Sequence, residues 1–99
     1  MSAPEVWVAK DDGSDFVRAE AIAGVGRDYN GAVTTRLTGN EGVTVTLVMP
    51  DAQDGPDTPA DFHRQLIRVI AELSATAEAT VVRPVCAQGR GWRWVTEPL

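Results

Sequence analysis

The C-terminal segment 89–95 concentrates the side chains best suited to binding a partner. It contains no acidic residue, although the whole chain has a net charge of −5, and its aromatic and cationic side chains are Arg90, Trp92, Arg93 and Trp94. Trp and Arg are enriched at binding hot spots because each combines a large flat surface with polar groups. Residues two apart on a strand share a face, so both indoles would face one way and Arg93 the other. The spacing predicts a partner-binding platform with a cationic edge.

Two alternatives stay open for this segment. The tryptophans could close the end of a small hydrophobic core, because buried aromatic residues dominate such cores and only 6% of the chain is aromatic. They could also stack on a base or ring while Arg83, Arg90 and Arg93 contact a phosphate, which would make the chain a nucleic-acid or anionic-ligand sensor. The acidic net charge argues against nucleic acid as a partner, since nucleic-acid binders usually present a basic face.

The remaining reactive residues lack the neighbours that catalysis or metal binding would require. His63 is the only histidine and Cys86 the only cysteine, so a metal site of nitrogen and sulfur ligands cannot be built within one chain. Asp51, Asp54 and Asp57 recur every three residues, whereas an EF-hand calcium loop takes ligands at alternate positions. We therefore expect no catalytic activity, no metal and no cofactor.

Length and composition limit the class of protein. The 99 residues, 43% of them hydrophobic and 23% charged, are typical of one globular domain, which we expect to span residues 1–99. A single cysteine excludes an internal disulfide and favours a reducing compartment. The N-terminus lacks the basic and apolar regions of a signal peptide, and no apolar run approaches the length of a membrane span. These features predict a cytoplasmic domain without a membrane partner.

Turn-forming residues divide the N-terminal half into an antiparallel meander of about four strands. The strongest signal is 43–48, where valines and a leucine alternate with threonines. Gly24 and Gly26 predict a bulge or a close backbone approach within their strand, and Asn30 with Gly31 predicts a tight turn. The expected strands are 5–10, 16–27 with a short turn at 19–21, 32–38 and 43–48.

One helix should follow the meander. Thr58 is suited to cap it, and Pro59 to occupy its first turn. Helical spacing then produces an apolar stripe that consists of Phe62, Leu66, Val69, Ile70, Leu73 and Ala77. Ile67 and His63 lie at the edge of this stripe and widen it beyond what one sheet contact needs. We therefore expect a second contact surface at that edge.

Two further strands, one at 80–83 closed by Pro84 and one at 92–96, complete the prediction. The fold class is α+β: an antiparallel β-meander with one amphipathic helix packed on the sheet and one or two C-terminal strands. The expected function is that of a small protein-binding, adaptor or regulatory domain that contacts another protein or itself as a homodimer. The partner-binding residues would be Arg90, Trp92, Arg93, Trp94, His63 and Ile67.

Overall fold

A computed structural model of the protein describes residues 5–39, 43–49, 58–75, 78–87 and 91–99. These residues form seven strands, one short 3₁₀ helix at Ala19–Ala21 and one α-helix. The strands are β1 (Val6–Ala9), β2 (Phe16–Arg18), β3 (Ile22–Arg27), β4 (Val33–Leu37), β5 (Thr44–Val48), β6 (Thr80–Ala87) and β7 (Gly91–Pro98), and the helix is α1 (Phe62–Leu73).

The strands form two sheets. β3, β4 and β5 make an antiparallel three-stranded meander, and the other four make a mixed sheet in the order β2-β1-β6-β7. In the mixed sheet β1 is antiparallel to β2 and parallel to β6, and β6 is antiparallel to β7. The predicted α+β class is confirmed. The predicted meander of about four strands has three, because the first hairpin pairs with the C-terminal strands instead.

One hydrophobic core joins both sheets to the helix. Its buried members come from β1, β4, β5, α1 and β6, and they are Val6, Val8, Val33, Leu47, Val48, Phe62, Leu66 and Val82. A bulge between β4 and β5 lets the consecutive residues Leu47 and Val48 both be fully buried. The backbone N–H of Asp11 donates to the carbonyl oxygen of Leu47 at 2.8 Å, which connects the end of β1 to β5.

The helix turns its apolar stripe toward this core. Every described residue of the predicted stripe is wholly or partly buried: Phe62, Leu66, Val69, Ile70 and Leu73. The residues predicted on the opposite face are exposed: Arg64, Arg68 and Glu72. Ala77 lies outside the described residues. The amphipathic orientation is confirmed, and with 12 residues α1 is short: no helix in the described part of the chain is long and apolar enough to cross a membrane.

The residue predicted to cap α1 has a different role. The helix begins at Phe62, with Asp61 at the capping position and no capping hydrogen bond from its side chain. Thr58 is buried; its hydroxyl donates to the carbonyl oxygen of Gly31 at 2.6 Å and accepts from Nε of Arg27 at 3.0 Å. The capping prediction is wrong because this hydroxyl bonds across the fold to the β3–β4 turn, 27 residues away in sequence.

β6 continues past Pro84, where the sequence predicted that it would end. It runs to Ala87 and pairs with β7 over its whole length, with Pro84 opposite Trp94. β1 pairs with β6 only as far as Val82. Pro84 therefore lies where β6 has a strand on one side only, and proline, which lacks an N–H, is tolerated at such edge positions.

Candidate functional site

The two tryptophans of β7 share one face, as their spacing predicts, and that face is turned toward α1. The ring of Trp94 stacks on Phe62 with centroids 4.5 Å apart at 15°, and Trp92 lies 6.5 Å from Phe62 at 57°. The indole N–H of Trp94 donates to the carbonyl oxygen of Phe62 at 2.8 Å. Both rings are half-buried against the core. These contacts correspond to the alternative in which the tryptophans close the core, while a binding role for their exposed parts stays a prediction.

The arginines of the mixed sheet differ in how they are held. Nε of Arg83 lies 3.6 Å from a carboxylate oxygen of Glu97. Arg18 lies over the ring of Trp7, with its guanidinium carbon 5.4 Å from the centroid, and its Nε is 3.2 Å from a carboxylate oxygen of Glu20. Two of these cations therefore each have a carboxylate nearby.

Arg93 and Arg90 are the cations that the sequence placed beside the tryptophans. Arg93 is exposed on the face opposite the indoles, and it forms no ion pair with any residue that the structure describes. Arg90 lies outside the described residues. The proposed phosphate contact of Arg83, Arg90 and Arg93 has therefore lost part of its support, because Arg83 is engaged by Glu97.

The predicted edge of the helix borders an apolar groove between α1 and β3. Ile67 is 53% exposed and lines this groove together with Ile70. Across from them the wall consists of Ala19, Ile22, Ala23, Gly24 and Val25, and the enclosed volume is about 270 Å³. Neither tryptophan lines the groove. The residues predicted as one site thus belong to two surfaces on different sides of the helix.

His63 has a less exposed position than Ile67. Its side chain is half-buried, and its Nδ1 is buried with no hydrogen-bond partner among the described residues. It is not among the residues that line the groove. Its assignment to a binding surface stays a prediction.

Small residues of β3 form part of the groove wall that faces α1. The pairing of β3 with β4 shifts between Ile22 and Gly24, which confirms the bulge that the glycines predicted. The guanidinium of Arg36 lies over Gly24, where a Cβ atom would require the arginine side chain to move. This wall was not predicted from the sequence, although small residues mark it: Ala19 in the 3₁₀ helix, and Ala23 and Gly24 in β3.

Three arginines lie near residues that line the groove. Arg64 and Arg68 are exposed on α1 within one helical turn of Ile67, and the guanidinium of Arg36 lies beside Gly24. None of these three arginines forms an ion pair within the described part of the chain. They lie there even though the whole chain has a net charge of −5.

A second cleft, also of about 270 Å³, lies at the end of β1 beside Trp92. Lys10 and Arg83 line it together with Asp11 and Asp12, so its charges balance. Hydrogen bonds from the hydroxyl and the backbone N–H of Ser14 hold the pKa of Asp12 below its ordinary value. Because the lowered pKa keeps the Asp12 carboxylate ionised near neutral pH, the cleft offers little net attraction to an anion.

The described residues do not group into a site for metal binding or thiol chemistry. In the residues that the structure describes, no three His, Cys, Asp or Glu side chains are grouped to hold a metal ion. Cys86 is an exposed free thiol on β6, opposite Trp92 in the pairing with β7. The absence of catalytic, metal-binding and cofactor functions stays a prediction.

Comparison with known proteins gives no further assignment. No protein-family model matches the chain, and searches of curated proteins and of solved structures found no match either. A functional argument therefore has to start from the chain's own residues.

Proposed function

We propose that this chain is a protein-binding domain, acting as an adaptor or regulator, whose docking surface is the groove between α1 and β3. The observation that carries the proposal is the position of Ile67, which is 53% exposed at the mouth of an apolar concavity. An exposed aliphatic side chain beside a concave apolar wall supports partner contact more than a lone surface isoleucine does. The groove volume is about 270 Å³. This is slightly smaller than the range of roughly 300–1,000 Å³ that is typical of small-molecule sites.

The charges near the groove indicate which kind of partner segment would fit. Arg64 and Arg68 lie within one helical turn of Ile67 and Arg36 lies beside Gly24, all without ion-pair partners in the described residues. A peptide with an aliphatic residue flanked by Asp or Glu would fill the groove and pair with these cations. Charge complementarity of this kind contributes mainly to specificity and association rate.

The exposed thiol of Cys86 is suited to a reducing compartment, so we assign the activity to the cytoplasm within this proposal.

Replacing Ile67 with aspartate should weaken peptide binding by about tenfold or more, because it puts a charge at an apolar contact and repels acidic flanks. The probe is a displayed peptide library with an aliphatic centre and flanks that are acidic in one set and basic in the other. The purified protein should select the acidic set. Affinities of the selected peptides, measured by fluorescence anisotropy, then compare the wild type with Ile67→Asp.

The matched control is Tyr29→Asp, which adds the same charge at a residue that is 91% exposed in the turn between β3 and β4. It should leave peptide affinity unchanged, and circular dichroism should show both variants folded. Selection of no peptide by the wild type, or equal affinity for Ile67→Asp, would refute groove binding.

One observation favours a second candidate, an anionic-ligand sensor. Lys10, Arg83 and Trp92 line the same cleft, so an anion bound there would lie near an indole. Because Asp11 and Asp12 share the cleft, we expect no saturable change in tryptophan emission when ATP, pyrophosphate or a short oligonucleotide is titrated at low salt. A saturable shift that disappears with added salt would favour the sensor over the protein-binding domain.

A further inference from the structure

β7 is a long edge strand with little of the usual protection against pairing. It has eight residues, and its register with β6 is unbroken from Gly91 to Pro98. No other described strand lies on its outer side. Edge strands expose unpaired N–H and C=O groups, and proteins commonly protect them by short length, a bulge, proline or charged side chains. β7 has no bulge in its pairing with β6, its one proline is at its last position, and its two charges, Arg93 and Glu97, are of opposite sign.

The charges of β7 are arranged symmetrically about Val95. Arg93 lies two residues before it and Glu97 two residues after it, so all three side chains share the outer face of the mixed sheet. Arg93 and Glu97 are both exposed. In an antiparallel pair of two β7 strands centred on Val95, Arg93 of each copy lies directly opposite Glu97 of the partner subunit.

No other two-fold register produces this match. Centring the pair on Arg93 or on Glu97 would oppose like charges, and centring it on Trp94 or Thr96 would leave both charges without an ionic partner directly opposite. A parallel pair in register would also place arginine against arginine. The Val95 register in addition brings two β-branched side chains together at the axis, a favourable cross-strand pair.

We propose that the protein forms a two-fold dimer by antiparallel pairing of β7 with β7 of a second copy, centred on Val95. The mixed sheet then continues across the axis as eight strands. Residues 93–97 include no proline, so proline removes no N–H group from this stretch of the strand. The contact is isologous and closes on itself, so it limits assembly to a dimer instead of a fibre.

The environment of Glu97 supports this pairing. Its carboxylate already lies 3.6 Å from Nε of Arg83 in its own chain. Arg83 is opposite Val95 in the β6–β7 register, and Arg93 is opposite Val85, so two arginines and one glutamate share this part of the outer face. Pairing would give Arg93 a carboxylate and give Glu97 a second cation. This dimer is a specific form of the self-association that the sequence predicts. It does not depend on peptide binding in the groove.

Charge reversal on β7 tests the register directly. By symmetry, Arg93→Glu converts two attractive cross-strand pairs into two repulsive ones, so it should raise the dimer dissociation constant by about tenfold or more. Glu97→Arg should act in the same direction. The double variant Arg93→Glu with Glu97→Arg restores opposite charges across the axis and should return the dissociation constant toward the wild-type value. Sedimentation velocity over a wide protein concentration range measures all four proteins.

The matched control is Glu72→Arg, which reverses a charge on the exposed face of α1 and should leave dimerisation unchanged; circular dichroism should show every variant folded. A wild-type protein that stays monomeric at high concentration would overturn the proposal. So would a dimer that both single reversals leave intact, because it would use another surface. Neither result affects groove binding, which is measured with the peptide library and Ile67→Asp.

Discussion

Replacing Phe62 with alanine should lower the free energy of unfolding by about 3–5 kcal/mol. The side chain of Phe62 is fully buried, and its ring contacts both indoles of β7. Removing the ring leaves a cavity at the point where the helix meets the mixed sheet, and Trp94 loses its stacking partner. The loss is large compared with the total stability of a small domain, about 5–15 kcal/mol. Urea unfolding followed by circular dichroism and tryptophan emission measures it.

A matched variant separates the ring from the hydrogen bond. Trp94→Phe keeps an aromatic side chain next to Phe62 but removes the indole N–H that donates to the carbonyl oxygen of Phe62 at 2.8 Å. Loss of one such bond costs about 0.5–1.5 kcal/mol. If Phe62→Ala does not fold, Phe62→Leu should also lower the free energy of unfolding, but by a smaller amount. Unfolding of Phe62→Ala at the wild-type urea concentration would contradict the packing of the tryptophans on the core.

Local patterns in the sequence were sufficient for the elements themselves. Apolar spacing predicted the inward face of α1, and alternation predicted the strand that became β5. The Asn30-Gly31 turn is also confirmed, with Gly31 at a φ of 85° and the Asp28 carboxylate accepting from the backbone N–H of Asn30. These features depend on residues close together in the chain, so their side chains and backbone preferences carry the information.

The arrangement of the strands depends on distant residues and was not predictable in the same way. Val8 pairs with Val82 in the parallel pair of β1 and β6, and nothing in either segment specifies the other. The same limitation explains Pro84. A proline is tolerated in a strand where its nitrogen faces a side without a partner strand, and the sequence does not show that β1 stops pairing at Val82.

The candidate site, like the fold, was predictable only where it depends on residues close together in the chain. The width of the apolar stripe indicated that Ile67 lies at an exposed edge, and the spacing of the tryptophans indicated their shared face. Hydrophobicity alone could not show that Trp94 stacks on Phe62 and not on a partner, because both environments favour an indole. The β3 wall of the groove required the tertiary contact between α1 and β3, and no local pattern encodes such a contact.

At Thr58 a tertiary contact replaces the capping role that local sequence predicts. A substitution there should also have a large effect on stability. Thr58→Val should lower the free energy of unfolding by about 1–3 kcal/mol, because the valine is similar in shape but leaves a polar group without its partner. The Thr58 hydroxyl donates to the carbonyl oxygen of Gly31 at 2.6 Å, and Gly31 is buried. Denaturant unfolding of the variant, compared with the wild type under the same conditions, measures the loss.

Thr58→Ser is the control, because it keeps the hydroxyl and removes only a methyl group; its loss should be smaller than that of the valine variant. Nε of Arg27 also donates to the Thr58 hydroxyl at 3.0 Å, and a second Arg27 nitrogen donates to the Thr58 carbonyl oxygen at 2.8 Å. The second of these bonds survives in both variants. A larger loss for valine than for serine therefore reports the hydroxyl, because valine keeps the methyl group that serine removes. Wild-type stability of Thr58→Val would mean that the hydroxyl does not stabilise the connection between the start of α1 and the β3–β4 turn.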